Sequence, residues 1–220
     1  MQQQLIDSPA SQGGAKLLLI SSVCLIFIII IILWQQQFGL IAALAIIIAG
    51  IGIFAGWAKL AEPAYLLQLD AEGVRYFHRK GSWLLPWSCF LYSGVPEYNN
   101  NDLAFIGFKV TNYDQFMQHL PLRLAVAIIT EQRPLYLDAV RKGCETGQCG
   151  TEALSEVDNF VTAQQVYKGI KAAFGWRMRR LADSTGYELF VPISLAKADV
   201  QSLCRQINAA RLQYVAGTPT

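Results

Sequence analysis

Cys144 and Cys149 share one polar, glycine-containing loop at a CxxxxC spacing. Such a pair can be two free thiols, a redox couple or half of a metal site. A metal site needs further ligands of suitable type, and neither histidine of the chain, His78 or His119, adjoins the loop. Free thiols are the simplest reading. A membrane-bound thiol-dependent enzyme or redox protein using Cys144 and Cys149 is the alternative, and it requires a thiol made acidic by its surroundings. Cys24, Cys89 and Cys204 fall in apolar segments. Five cysteines so distributed fit a reducing compartment better than a disulfide framework.

His78 and His119 are isolated and read as surface or satisfied polar side chains. The sequence carries no Gly-rich phosphate loop, no GxSxG and no HExxH, so it presents none of the motifs that carry those chemistries. No catalytic, cofactor-binding or metal-ligating residue is assigned, and no cofactor is expected. The most basic segment holds Lys168, Lys171, Trp176, Arg177, Arg179 and Arg180. Lys168, Lys171 and Arg179 are candidates for contact with anionic lipid headgroups, where each cation contributes about 1 kcal/mol. The structural alternative is an amphipathic helix with its cations in water and Arg177 projecting from the apolar side. Glu131-Gln132-Arg133 serves either an internal ion pair or a partner surface.

These residues must be positioned by a chain of 220 residues that is 53% hydrophobic. The excess lies in two uncharged runs. Leu17–Trp34 spans about 27 Å as a helix, close to the hydrocarbon thickness. Gly39–Ala58 follows after only Gln35, Gln36, Gln37 and Phe38. Both runs therefore read as helices of one transmembrane hairpin. The first is longer than a signal h-region, no small-x-small site follows it, and a second span comes at once. Ala42, Ala45, Ala49, Gly52 and Gly56 recur at spacings of 3 and 4, which gathers small residues on one helix face. Such a face lets backbones approach closely in lipid. It either packs against the first span or mediates a homodimer. Lys16 precedes the hairpin, Lys59, Arg75, Arg79 and Lys80 follow it, and the connecting loop has no cation. The positive-inside rule then puts both termini in the cytoplasm, giving a multi-pass protein of the bacterial inner membrane.

The expected organisation is a polar tail over 1–15, the hairpin over 16–60 and an α+β domain over 63–220. Over 63–220 the sequence has 16 Lys and Arg against 14 Asp and Glu, too balanced a surface for nucleic-acid binding. Alternation predicts strands at Tyr65–Leu69, Val74–His78, Trp83–Tyr92 and Leu103–Val110, with Pro86 marking an edge or bulge and Asn99–Asp102 a loop. Helical spacing predicts helices over Asp114–Gln132, interrupted at Pro121, over a short stretch opened by Pro134 and ended by Gly143, and over Ala163–Leu181. Cys144–Glu156 reads as a mobile loop. Tyr187–Ile193 is strand-like, Ser194 can cap, and Ala196–Ala216 is an amphipathic helix stopped by Gly217.

The segment Gly73-Val-Arg-Tyr-Phe-His-Arg-Lys-Gly-Ser-Trp-Leu-Leu-Pro-Trp87 is a strand pair ending in Leu-Pro-Trp just after a hairpin. It resembles the bacterial membrane-anchored pleckstrin-homology-like families. The layout also resembles an uncharacterised gammaproteobacterial family of that design, of which Arg123-Leu124-Ala125 and Glu131-Gln132-Arg133-Pro134 would be typical. The resemblance implies a small bent antiparallel sheet closed by a C-terminal helix, and no catalytic residues to carry over. The helical stretch Asp114–Leu181 exceeds that pattern, as an insertion or as a different fold. The function expected is non-enzymatic: a domain held at the membrane that binds lipid or a protein partner.

Overall fold

The computed structural model describes residues 4–7, 13–36, 39–98, 101–142, 159–193 and 197–217. The chain divides into two units, Asp7–Leu66 and the sequence from Leu67 onward joined by the N-terminal strand.

The first unit is a pair of helices, α1 (Gly14–Gln35) and α2 (Leu40–Leu60). Both are long and apolar enough to cross a membrane. Their outer faces are uncovered among the described residues: Leu33 is 71% exposed and Leu40 89%. A soluble core helix buries such a surface. Side chains of this kind, exposed along two helices, are what a pair of membrane spans presents to lipid. Between the helices the packing is tight. A Cβ on Gly56 would lie 2.7 Å from the Leu18 backbone nitrogen, and one on Gly52 would overlap Ser21 Oγ.

The second unit is built on two antiparallel sheets. One has the order β1-β2-β3-β4, from Gln4–Asp7, Tyr65–Leu69, Gly73–His78 and Gly81–Pro86. In β2 the alternation works as expected, with Leu67 and Leu69 buried. The β3–β4 ladder runs in register from Gly73↔Pro86 to His78↔Gly81. The other sheet has the order β11-β8-β5, from Leu189–Pro192, Phe105–Val110 and Phe90–Gly94. Trp83, on β4, meets Phe108, on β8, edge to face at 5.8 Å. Trp83 also contacts Tyr76 at 5.3 Å and Phe116 at 5.8 Å, so one buried indole joins both sheets and the first helix after them. Pairs of this kind add about 0.5–1.5 kcal/mol beyond the area they bury.

Two sequence expectations are corrected. Trp83–Tyr92 is not one extended segment. Pro86 ends β4, residues 87–89 turn, and β5 begins a strand of the other sheet. Proline lacks the N–H a continuing ladder would need. Asn101–Asp102 forms β7, paired with β6 (Glu97–Tyr98), where a loop was expected. Strand β1 lies in the polar tail, where no element was expected.

The middle of the chain lies between β8 and β11, which are neighbours in one sheet. The helical stretch is thus inserted between adjacent strands. It comprises α3 (Tyr113–Gln118), α4 (Leu122–Glu131), α5 (Arg133–Lys142), the ribbon β9 (Asn159–Val161) with β10 (Val166–Lys168), and α6 (Gly169–Thr185). Asn112 caps α3, its Oδ1 accepting from the Asp114 and Gln115 N–H groups. Pro121 stands at the N-cap of α4. The helix expected from Ala163 starts only at Gly169, because Val166–Lys168 pairs with Asn159–Val161 instead. Gly169, at φ +58°, turns the chain from strand into helix. Gly175 weakens the helix by propensity, but a Cβ there would overlap the Phe160 ring. A last helix, α7 (Lys197–Gly217), packs on β5 and buries Val200, Leu203, Cys204 and Ile207. Gly143, Ser194 and the loop Cys144–Glu156 lie outside the described residues.

Candidate functional site

The buried polar groups of the α+β unit gather where the inserted helices meet the β11-β8-β5 sheet. Glu188, which precedes β11, is 3% exposed. Its Oε1 accepts from Lys109 Nζ at 2.9 Å and from the Tyr113 hydroxyl at 3.4 Å, and its Oε2 accepts from Val110 N–H at 2.8 Å. Asp114, on α3, is equally buried and accepts from Thr162 Oγ1 at 2.6 Å and the Tyr167 hydroxyl at 2.9 Å. Each carboxylate is engaged by donors from separate elements, an arrangement that ties strands and helices together. Burial, then the neighbouring carboxylate, raises both phenols, Tyr167 to about 12. Their protons stay on oxygen because ionisation would set two anions side by side.

Arg177 is the residue the sequence marked as facing the wrong way. The structure buries it, 5% exposed. Its Nη2 donates to Gln132 Oε1 at 2.8 Å, and its guanidinium lies 5.5 Å from the centre of the Tyr136 ring. Gln132 Nε2 passes the contact on to the Phe190 carbonyl at 3.0 Å. The chain α6–α4/α5–β11 is therefore stitched by one guanidinium and one amide. Burial lowers the Arg177 pKa to about 10. Within Glu131-Gln132-Arg133, Gln132 is the internal member. Glu131 faces outward and meets His78 Nε2 at 3.1 Å and Arg79 Nη2 at 3.3 Å. His78 Nδ1 accepts from Lys80 N–H, so the ring proton sits on Nε2 and is donated to Glu131. His119 is exposed after α3.

The candidate lipid-contacting cations all lie on β10 and α6 but are not equivalent. Lys168 is exposed at the end of β10. Lys171, half-buried, donates to the Met117 carbonyl at 2.7 Å. Arg179 is exposed, with its guanidinium 4.8 Å from the Phe160 ring centre and 5.2 Å from that of Trp176. The small residues of α2 lie on its less exposed side, with Ala49 and Gly56 buried and Ala42, Ala45 and Gly52 half-buried. Cys144 and Cys149 lie outside the described residues. Cys89 and Cys204 are buried and free, and burial raises both thiols, Cys89 to about 12. Among the described residues no group of three His, Cys, Asp or Glu side chains could hold a metal.

Sequence reasoning missed Glu188, Asp114 and Asn208 as structural polar residues and named Gln132 only as part of Glu131-Gln132-Arg133. Glu188 did carry a signal: it is the one charge in the apolar run Tyr187–Ile193.

A protein-family model matches residues 67–213, two thirds of the chain. The chain belongs to the DUF2982 family of proteins of unknown function. The DUF2982 match starts within β2 and ends within α7, so it contains both carboxylate hubs, the Arg177–Gln132 contact and the β9–β10 ribbon. The helical pair lies outside it. Comparison with curated proteins and with solved structures returned no match.

Proposed function

We propose that this DUF2982 chain is a non-enzymatic protein of the bacterial inner membrane, anchored by α1 and α2, whose cytoplasmic α+β domain binds a protein partner or the membrane surface. The observation that carries the reading is the exposed apolar surface of the two helices, joined by only four residues, Ala61–Ala64, to the first strand of the domain. The pairing of β1 with β2 supports a common compartment for the N-terminal tail and the domain, because β1 precedes the hairpin and β2 follows it. The flanking cations favour the cytoplasm. A pleckstrin-homology-like ancestry is supported by the division into four strands and three strands with a closing helix on β5. On that reading the segment from Thr111 to Glu188 is an insertion.

Membrane fractionation tests the anchor and reporter fusions test the topology. The full chain should stay in the pellet after alkaline carbonate extraction, and fluorescent-protein fusions at the C-terminus should be active where periplasmic phosphatase fusions are silent. Release by carbonate, or an active C-terminal phosphatase, would sink the reading.

A further inference from the structure

The β9–β10 ribbon has two unlike sides. Phe160 and Tyr167 point inward and are buried. On the other side Val161 faces Val166 across the ribbon, and Asn159 faces Lys168. Val161 is 60% exposed, Val166 56%, and Ile170, just past the ribbon, 39%. Single exposed apolar residues are ordinary. Here Val161 and Val166 face each other on an element held firm from behind, and the exposed Ile170 follows four residues after Val166 at the start of α6. Phe160 is clamped over Gly175 and meets Trp176 edge to face at 5.4 Å.

The sequence around this face is rich in cations. From Asn159 to Ala182 the chain holds five cations and no acid, with Asp158 and Asp183 as the next charges on either side. Three of the five are spent inside the fold: Arg177 is buried, Lys171 donates to the Met117 carbonyl, and Arg180 donates to the Tyr136 hydroxyl. Lys168 and Arg179 remain exposed, and stacking on Phe160 and Trp176 restricts the Arg179 guanidinium before any ligand arrives.

The geometry points to the β9–β10 ribbon as a bilayer-contact element, in which Val161, Val166 and Ile170 enter the interfacial layer while Lys168 and Arg179 meet anionic headgroups. The inference rests on the anchored reading above and names the surface through which the domain touches the membrane. Apolar side chains flanked by cations are what the interface of an anionic bilayer accepts. The tether supplies proximity. Four residues reach at most about 14 Å, so the domain meets lipid at a high effective concentration, and a contact too weak to recruit a free protein suffices.

The test uses the full chain, one copy per nanodisc, with an environment-sensitive fluorescent amino acid encoded at position 166 or, as a control, at the exposed position 206. Nanodiscs contain either phosphatidylethanolamine and phosphatidylglycerol or phosphatidylcholine alone, with a spin-labelled lipid as quencher. The position-166 probe should shift to the blue and lose emission to the spin label in the anionic discs. That loss should disappear in phosphatidylcholine and in the Lys168→Glu/Arg179→Glu variant, and the position-206 probe should stay unquenched throughout. Water-like, unquenched emission at position 166 would overturn the inference. So would equal quenching at both positions, or a shielded but unquenched probe at position 166, the signature of a protein contact. Carbonate extraction separates the two failures: a chain that resists extraction yet shows an unquenched ribbon loses this inference alone.

Discussion

Asn208 holds Ser93 as a neighbouring strand would. Its Oδ1 accepts from Ser93 N–H at 2.7 Å, and its Nδ2 donates to the Ser93 carbonyl at 2.9 Å. Arg211 Nε adds a bond to the Phe90 carbonyl at 2.5 Å. The outer edge of β5 is thus closed by side chains of α7. Gln132 does the same at β11 by donating to the Phe190 carbonyl. Unpaired sheet edges are templates for aggregation, and here amides on two helices cover both edges of one sheet.

Asn208→Ala removes three bonds to Ser93: those its Oδ1 accepts from the N–H and the hydroxyl, and the one its Nδ2 donates to the carbonyl. We expect a loss of about 2 kcal/mol, since two partly buried backbone groups lose partners worth about 1 kcal/mol each. Asn208→Asp keeps the acceptor and should cost less. Thermal melts of the full chain in detergent, followed by near-UV circular dichroism, check the order. Equal stability of Asn208→Ala and the parent would refute the edge argument.

Glu188 and Glu131 form a contrasting pair. Glu188→Gln should destabilise by roughly 3 kcal/mol, because Lys109 and Val110 N–H lose a buried acceptor. Glu131→Gln should change stability by less than about 1 kcal/mol, because its ion pairs are open to water. The same melts read both. A Glu131 variant as damaging as the Glu188 variant would contradict the geometry.

Stability should fall on the alkaline side. Burial lifts Cys89 from 9.0 to about 12, and burial followed by Asp114 lifts Tyr167 from 10.0 to about 12. An acid whose folded pKa is raised keeps a proton that the unfolded chain releases. Its stabilisation is complete below the unfolded pKa and is lost as pH rises through the folded one. The decline should therefore begin near pH 9.0 with Cys89 and gain from Tyr167 above pH 10.0. Arg177, lowered by burial to about 10, works in the other direction above pH 10. Tyr167→Phe should flatten the profile, which denaturant midpoints across this range would reveal. An unchanged slope in Tyr167→Phe would count against the buried phenol.

In the helical pair, position matters more than residue type. Gly56→Ala drives a methyl into the Leu18 backbone and should cost about 1–3 kcal/mol. At Gly50 nothing lies within 4 Å of an added Cβ, so Gly50→Ala should be neutral or stabilising through helix propensity. Detergent melts of the two variants should separate in that order. Because Gly52 and Gly56 already face α1, a homodimer through that face would have to displace it.

Much of this architecture was legible in the sequence where one short pattern decided it. Tyr65–Leu69 alternates, with Leu66 the imperfect position, the two apolar runs stand out by length alone, and α7 repeats its apolar positions at helical spacing. Legibility failed where pairing was non-local. Val166–Lys168 looks helical beside Ala163 and Ile170, and only Asn159–Val161, across a turn, makes it a strand. Trp83–Tyr92 reads as one extended run because side-chain alternation does not register the change of sheet at Pro86. Gln4–Asp7 gave no signal, since its partner β2 lies beyond the hairpin. Of the candidate residues, the sequence located the basic segment but could not say which cations the fold consumes. Arg177 was conspicuous on its helical wheel, yet Gln132, which receives it, is 45 residues away.

The position of β1 has a consequence for biosynthesis. Gln4–Asp7 leaves the ribosome before the hairpin, but its partner β2 is made only after both helices. In the anchored reading the two strands share a compartment only when the hairpin crosses an even number of times. A chain that threads a single helix leaves β1 and β2 on opposite faces of the bilayer, with one sheet edge bare. Completion of this sheet then depends on an even number of crossings.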